Sequence, residues 1–89
     1  MMKNALQSLR TIYNEAMAFF DHQYIEFQSK IKYKPLMKLV IENRRLELIN
    51  SISKHFKEEE MTNSNIPSIE RDVNDIKNKT TQDLKFLTY

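Results

Sequence analysis

Residues 2–32, MKNALQSLRTIYNEAMAFFDHQYIEFQSKIK, decide the fold of this chain. Apolar side chains recur three or four residues apart along the whole stretch, at Met2, Leu6, Leu9, Tyr13, Ala16, Phe20, Tyr24, Phe27 and Ile31. At 100° per residue these positions fall within a sector of about 80°, which is the pattern of an amphipathic α-helix. The sequence therefore predicts one continuous helix over residues 2–32, on the order of 45 Å long.

A second apolar set flanks this stripe, at Met1, Ile12 and Phe19. It widens the apolar face beyond what a two-stranded coiled coil needs. Six of the nine aromatic residues lie between Tyr13 and Tyr33, so most of the core volume is expected on this helix. We therefore expect helix 1 to contact more than one neighbouring helix.

Pro35 marks the end of the first helix, because the residue before a proline is disfavoured in the α conformation. Helix 2 is predicted over about residues 35–59, with an apolar arc at Met37, Ile41, Leu48, Ile49, Ile52 and Phe56. Leu36, Leu39 and Val40 face other directions, and this apolar collar needs cover from helix 3 or from another chain.

A polar connection over about residues 60–66 precedes helix 3, which is predicted over about residues 67–87. The apolar positions of helix 3 form a narrow stripe typical of a coiled-coil seam: Ile66, Ile69, Val73, Ile76, Thr80, Leu84 and Leu87. We expect one all-α domain over residues 1–89, an elongated three-helix bundle with helix 2 antiparallel to helix 1. The wide face of helix 1 and the narrow stripe of helix 3 together predict a homodimer that shares helices between chains.

The chain contains neither glycine nor cysteine. Phosphate-cradling loops, dinucleotide fingerprints and nucleophile elbows need glycine, and thiolate metal sites and disulfides need cysteine. His22 and Glu26 are one helical turn apart, but two ligands do not make a metal site. Ser51 has His55 one turn away and no glycine-built oxyanion loop. We expect no enzymatic activity, no cofactor and no metal.

The net charge of +2 hides an asymmetry along the chain. Residues 1–57 have ten Lys/Arg and five Asp/Glu, whereas residues 58–89 have four Lys/Arg and seven Asp/Glu. Either the acidic part packs over the basic part, which we favour, or an acidic partner is attracted to the first part. No stretch is apolar for long enough to cross a bilayer, and we expect a cytoplasmic protein without a membrane partner.

Residues 30–45 form a basic segment in which Glu42 is the only acid. Its six cations surround the predicted turn between helices 1 and 2: Lys30, Lys32, Lys34, Lys38, Arg44 and Arg45. Such a segment is a possible phosphate footprint, with Arg44 and Arg45 able to reach base edges. Nucleic-acid binding is therefore the first alternative function.

Lys38 and Arg45 also project into the apolar arc of helix 2, where an unpaired charge is costly. Their stems extend to solvent, or they pair with acids of helix 1 such as Glu15, Asp21 or Glu26, or they face an acidic partner. The first two readings are favoured. The residues assigned to partner binding are Phe19, Ile25, Tyr33, Lys38, Arg44 and Arg45.

The exclusion of catalytic devices favours a small non-enzymatic regulator or adaptor that binds another protein. The richness in Lys, Asn, Ile and Tyr is what AT-rich coding would give, so an inhibitor from a phage or mobile element fits. A second alternative is an immunity-type helical bundle, which this chain resembles only in being small, basic and helical. The identity of the partner is not encoded in any motif.

Overall fold

The computed structural model describes residues 5–58 and 65–88, with residues 56–58 described by their backbone alone. Three α-helices account for nearly all of this part: α1 (Ala5–Phe27), α2 (Lys34–Glu58) and α3 (Ile66–Leu87). The helices pack against one another in a bundle with extents of 45 × 27 × 16 Å. The all-α fold and the elongated three-helix architecture are confirmed.

The contacts between helices establish their directions. Arg44 near the start of α2 bonds to Asp83 near the end of α3, whereas His55 near the end of α2 bonds to Asp72 near the start of α3. The helices α2 and α3 are therefore antiparallel. Since a short connection joins α1 to α2, these two also run in opposite directions, and α1 is parallel to α3.

The first helix ends at Phe27, five residues before its predicted end at residue 32. The amides of Lys30 and Ile31 both donate to the carbonyl of Phe27, which turns the chain over residues 28–30. Ile31 is nonetheless buried, because it forms an isolated antiparallel bridge with Thr88 beyond the end of α3. The sequence pattern predicted a helix at this position because Ile31 continues the three- and four-residue spacing of the apolar side chains of helix 1. Every described residue keeps a negative φ, so this turn is built without glycine.

The buried face of α1 is rotated from the predicted stripe. Leu9, Ala16, Phe20 and Phe27 are buried as expected, but Leu6 and Tyr13 are exposed, Leu6 by 59%. Positions on the α3 side replace them: Ala5 and Gln23 are buried, and Ile12 and Phe19 are partly buried against the core. The predicted members Met1 and Met2 lie outside the described residues.

In α2, Met37, Ile41 and Leu48 are buried and Ile52 packs against the core, as the arc predicts. Ile49 is exposed instead, and the side chain of Phe56 lies outside the described residues. Of the apolar collar at the start of the helix, Val40 packs against the core whereas Leu36 and Leu39 remain exposed. Helix α3 therefore covers only part of the collar.

The apolar stripe of α3 is confirmed, but its role is different from the predicted one. Ile69, Val73, Ile76, Thr80 and Leu84 are all buried, and Ile66 and Leu87 pack against the core. Helix α3 shares larger interfaces with α2 and α1 than those two share with each other. The stripe is therefore covered within one chain, and it needs no second copy. The homodimer with shared helices remains a prediction.

The start of α3 is one residue earlier than predicted, with Asn65 at the N-cap position and Pro67 in the first turn. Proline fits there because its missing N–H has no partner inside the helix at that position. The side chain of Asn65 makes no capping hydrogen bond. Residues 60–64 of the predicted connection lie outside the described residues.

Candidate functional site

One end of the bundle is strongly basic. The turn between α1 and α2 lies beside the end of α3, because Ile31 and Thr88 bridge them. We call residues 28–38 together with residues 85–88 the basic end. It contains five lysines and no Asp or Glu: Lys30, Lys32, Lys34, Lys38 and Lys85. Unbalanced charge of this density favours an anionic partner.

Two of these lysines have local structural roles. The Lys34 ammonium donates to the carbonyl oxygens of Gln28 and Ile31, which the end of α1 leaves without helical partners. Lys30 lies 3.8 Å from a Glu26 carboxylate oxygen and 5.6 Å from the centre of the Phe27 ring. The ammonium groups of Lys30 and Lys34 are therefore partly engaged in contacts at the turn between α1 and α2.

The other three lysines are available to solvent. Within the described part of the chain, the ammonium groups of Lys32, Lys38 and Lys85 make no ion pair or hydrogen bond, and all three residues are exposed. Lys38 borders a groove between α1 and α2 that is also lined by Tyr24, Ile41, Glu42 and Arg45. These three ammonium groups remain free to bind an anion.

Two aromatic side chains are exposed at the same end. Phe86 on the last turn of α3 is 89% exposed, and Tyr33 in the turn before α2 is 65% exposed. Large exposed rings next to cations are unusual on a surface that binds nothing, since aromatic residues concentrate in binding anchors. The basic end therefore combines free ammonium groups with apolar contact area.

Arg44 points away from the basic end and into the bundle. Its guanidinium donates to Asp83 and to Glu47, both at 2.6 Å, so it ties α2 to α3. The hydrogen bond to Asp83, then that to Glu47, raises the pKa of Arg44 above its ordinary value. A guanidinium that is shared by two carboxylates is poorly placed to reach a phosphate or a base edge.

Arg45 is paired in a similar way with α1. Its guanidinium donates to Asp21 at 2.6 Å, and its charged carbon lies 5.9 Å from the centre of the Phe20 ring. The Nε atom is buried and has no hydrogen-bond partner among the described residues. The predicted pairing of Arg45 with an acid of helix 1 is confirmed, and Asp21 is the acid. Lys38, its predicted companion, extends to solvent instead.

Phe19 and Ile25, the other predicted partner-binding residues, are not brought together. Phe19 is half-buried, packs edge-on against Phe20 with ring centres 6.0 Å apart, and lies under the Lys77 ammonium at 5.5 Å. Ile25 is exposed on α1. Phe19 therefore belongs to the α1–α3 interface, while Ile25 remains an isolated surface residue.

The serine and histidine of α2 both reach α3. Ser51 Oγ donates to an Asp72 carboxylate oxygen at 3.4 Å, and His55 Nε2 lies 3.2 Å from the same oxygen. The aspartate thus lies between the hydroxyl and the imidazole, so it cannot orient the ring for proton removal from the serine. These contacts join two helices.

Three grooves between the helices, open to solvent, have volumes of about 150 to 310 Å³. Within the described residues, no three His, Asp or Glu side chains converge as metal ligands. None of the helices in this part of the chain is both long and apolar enough to span a bilayer. The residues that sequence reasoning missed are Lys85 and Phe86, whose proximity to the turn depends on the fold.

The chain matches no protein-family model, no curated protein and no solved structure.

Proposed function

We propose that this protein is a small non-catalytic regulator or adaptor that binds an acidic surface of another protein through its basic end. The observation that supports the proposal is that three exposed lysines, Lys32, Lys38 and Lys85, and two exposed rings, Tyr33 and Phe86, occur at the same end of the bundle. Protein interfaces typically combine aromatic anchors with a polar rim, and complementary charge speeds association.

Nucleic-acid binding is the weaker candidate because the cations predicted to contact phosphates are not all available. Arg44 and Arg45 bond to carboxylates of neighbouring helices, and Lys34 bonds to carbonyl groups. Of the six predicted contacts, only Lys32 and Lys38 keep ammonium groups without a partner in the described part of the chain. Even when Lys85 is added, three phosphate contacts supply only modest affinity at physiological salt.

The test is capture of partners by tagged protein from a nuclease-treated lysate of its native cell. The wild-type protein is compared with a variant carrying Lys32→Glu, Lys38→Glu and Lys85→Glu. A matched control carries Arg10→Glu, Lys54→Glu and Arg71→Glu, three exposed cations outside the basic end. We expect a protein partner that the triple variant loses and the control retains.

A parallel titration against duplex DNA distinguishes nucleic-acid binding from protein binding. Binding through phosphates weakens steeply with salt, by a slope of about 0.9 per neutralised phosphate, whereas docking through apolar anchors weakens little. Tight DNA binding with a steep slope, together with no nuclease-resistant partner, would contradict the proposal. The narrower ideas, an inhibitor from a phage or mobile element, an immunity-type bundle and a cytoplasmic location, stay predictions.

A further inference from the structure

The second helix has a row of uncharged residues, half of them leucine, on the side opposite to the core. The row consists of Leu36, Leu39, Asn43, Leu46, Asn50 and Ser53, and we call it the outer row. Leu39 is 55% exposed and Leu46 is 52% exposed, whereas Met37, Ile41 and Leu48 on the opposite side are buried. Helix α2 therefore presents apolar side chains both to its own bundle and to solvent.

The outer row has the spacing of a coiled coil. Its members alternate three and four residues apart, which is the a and d pattern of a heptad repeat. Leu36, Asn43 and Asn50 take the a positions, and Leu39, Leu46 and Ser53 take the d positions. The row spans most of a 25-residue helix. We propose that the outer row is the contact surface for a second copy of this chain, which packs against it as a parallel dimer.

The charge pattern argues for a second copy rather than a charged partner. The outer row has no charged residue over its whole length, so it has nothing to pair with an acidic or basic helix. Its polar groups are two amides and a hydroxyl, which act both as donors and as acceptors and can therefore pair with copies of themselves. Asparagine at an a position is a known device for setting the register of a pair of helices.

The two asparagines also decide the orientation. In a parallel pair Asn43 faces Asn43 of the second copy, and Asn50 faces Asn50, so each amide finds a partner. In an antiparallel pair an a position faces a d position, and centring the row places Asn43 opposite Leu46 and Asn50 opposite Leu39. A desolvated amide against leucine loses its hydrogen bonds. The parallel arrangement is favoured.

The flanking positions include one pair of like charges, of which the fold already compensates one member. In a parallel coiled coil a g residue faces the e residue five positions later on the other helix, so Glu42 faces Glu47 of the second copy and Ile49 faces Lys54. The Glu47 carboxylate already accepts from Arg44 at 2.6 Å and lies 3.9 Å from the Lys79 ammonium. Its negative charge is therefore compensated before the second copy arrives.

The exposed apolar area is that of a small interface. The exposed parts of Leu36, Leu39, Leu46 and Ile49 form an apolar patch on the order of 300 Å², a size that is often functional on a small protein. Two such patches bury on the order of 600 Å² of apolar surface, to which the amides and the flanking stems add polar area, so the interface belongs to the small, transient class. A weak dimer with micromolar affinity is expected.

A parallel dimer would bring two copies of the proposed docking site together, although the evidence for the dimer is independent of the proposed function. Two basic ends would lie side by side at one end of the assembly. A partner with two acidic sites would then bind both at once, with a gain from effective concentration.

The first experiment measures molar mass by light scattering over about 10 to 500 µM protein, since the dimer fraction depends on protomer concentration. We expect a shift from 10.7 kDa toward twice that mass. Leu39→Glu with Leu46→Glu should hold the protein at the monomer mass with unchanged helicity. Ala18→Glu with Ile25→Glu, exposed residues of α1 that are also seven positions apart, should leave dimerisation intact.

The second experiment uses the absence of cysteine. Asn43→Cys and Asn50→Cys single variants, oxidised separately, should each form a disulfide-linked dimer, and His22→Cys on exposed α1 should not. A monomer at every concentration would overturn the proposal, as would dimerisation that survives the two glutamates. Cross-linking only when Asn43→Cys is mixed with Leu46→Cys, with neither asparagine variant cross-linking alone, would overturn the parallel orientation.

Discussion

Arg45 of α2 and Asp21 of α1 form a 2.6 Å ion pair across the smallest of the three helix–helix interfaces. The guanidinium also lies over the ring of Phe20, a residue with no exposed surface. One charged side chain thus packs on the core and reaches an acid at the surface, which explains how a cation fits within an apolar arc.

Reversing the charge of Arg45 should destabilise the bundle. Arg45→Glu places a carboxylate beside Asp21 and against the ring of Phe20, and we expect a loss of about 2 kcal/mol in the free energy of unfolding. Lys38→Glu, one heptad earlier and exposed, should change it by less than about 0.5 kcal/mol. Urea denaturation measures both. Equal stability of Arg45→Glu and the wild type would show that the pair contributes nothing.

The contact between Arg44 and Asp83 should be worth more than a surface ion pair. A double-mutant cycle with Arg44→Ala and Asp83→Asn should give a coupling energy of about 1 kcal/mol, because the guanidinium is partly buried and its hydrogen bond to the carboxylate is charge-assisted. The same cycle on Glu26 and Lys30, which are both more than half exposed and 3.8 Å apart, should give less than about 0.5 kcal/mol. The reverse order would contradict the role assigned to Arg44.

The contribution of the Arg44–Asp83 contact to the free energy of unfolding should be the same at neutral and at mildly alkaline pH. The pKa of Arg44 is raised in the folded state, with Asp83 as the main cause. A raised pKa gives stability that is complete below the unfolded pKa and is lost only as the pH rises through the folded value. Since an arginine side chain stays protonated at both pH values in the folded and in the unfolded chain, the coupling measured at pH 7 and at pH 9 should agree. A fall by pH 9 would mean that another group titrates in this network.

Truncation of two phenylalanines should reduce the stability to very different extents. Phe20→Ala removes a ring from the core and should cost about 3–5 kcal/mol, a large part of the stability of a small domain. Phe86→Ala removes a ring that is almost wholly exposed and should cost less than about 0.5 kcal/mol. Thermal unfolding followed by circular dichroism measures both. A large loss for Phe86→Ala would show that its ring packs in solution.

Much of the fold could be predicted from the sequence because helical periodicity records burial directly. The α3 stripe from Ile69 to Leu84 is buried as its spacing indicates. The predicted end of α1 at residue 32 was wrong. Ile31 lies at the next position of the helical spacing, but a bridge to Thr88 buries it and it is not part of a helix. The exposure of Leu6 and Tyr13 was also not predicted, since periodicity gives the width of the apolar face of a helix and not the positions of the helices that pack against it.

The candidate site was only partly predictable for a different physical reason. Arg44 belonged to a basic run in the sequence, but its compensating acid, Asp83, lies 39 residues away. Charges that cancel across the fold cannot be paired by reading along the chain. In the same way, Phe86 joined the basic end only when the bridge between Ile31 and Thr88 brought α3 beside the turn.

The most direct test of the account is partner capture with the two exposed rings of the basic end removed. Tyr33→Ala with Phe86→Ala should reduce the captured protein partner at least about tenfold, as expected for anchors worth more than 1 kcal/mol each. Leu6→Ala with Tyr13→Ala, exposed at the other end of α1, should leave capture unchanged. Undiminished capture by the Tyr33 and Phe86 variant would contradict the claim that this protein acts through its basic end.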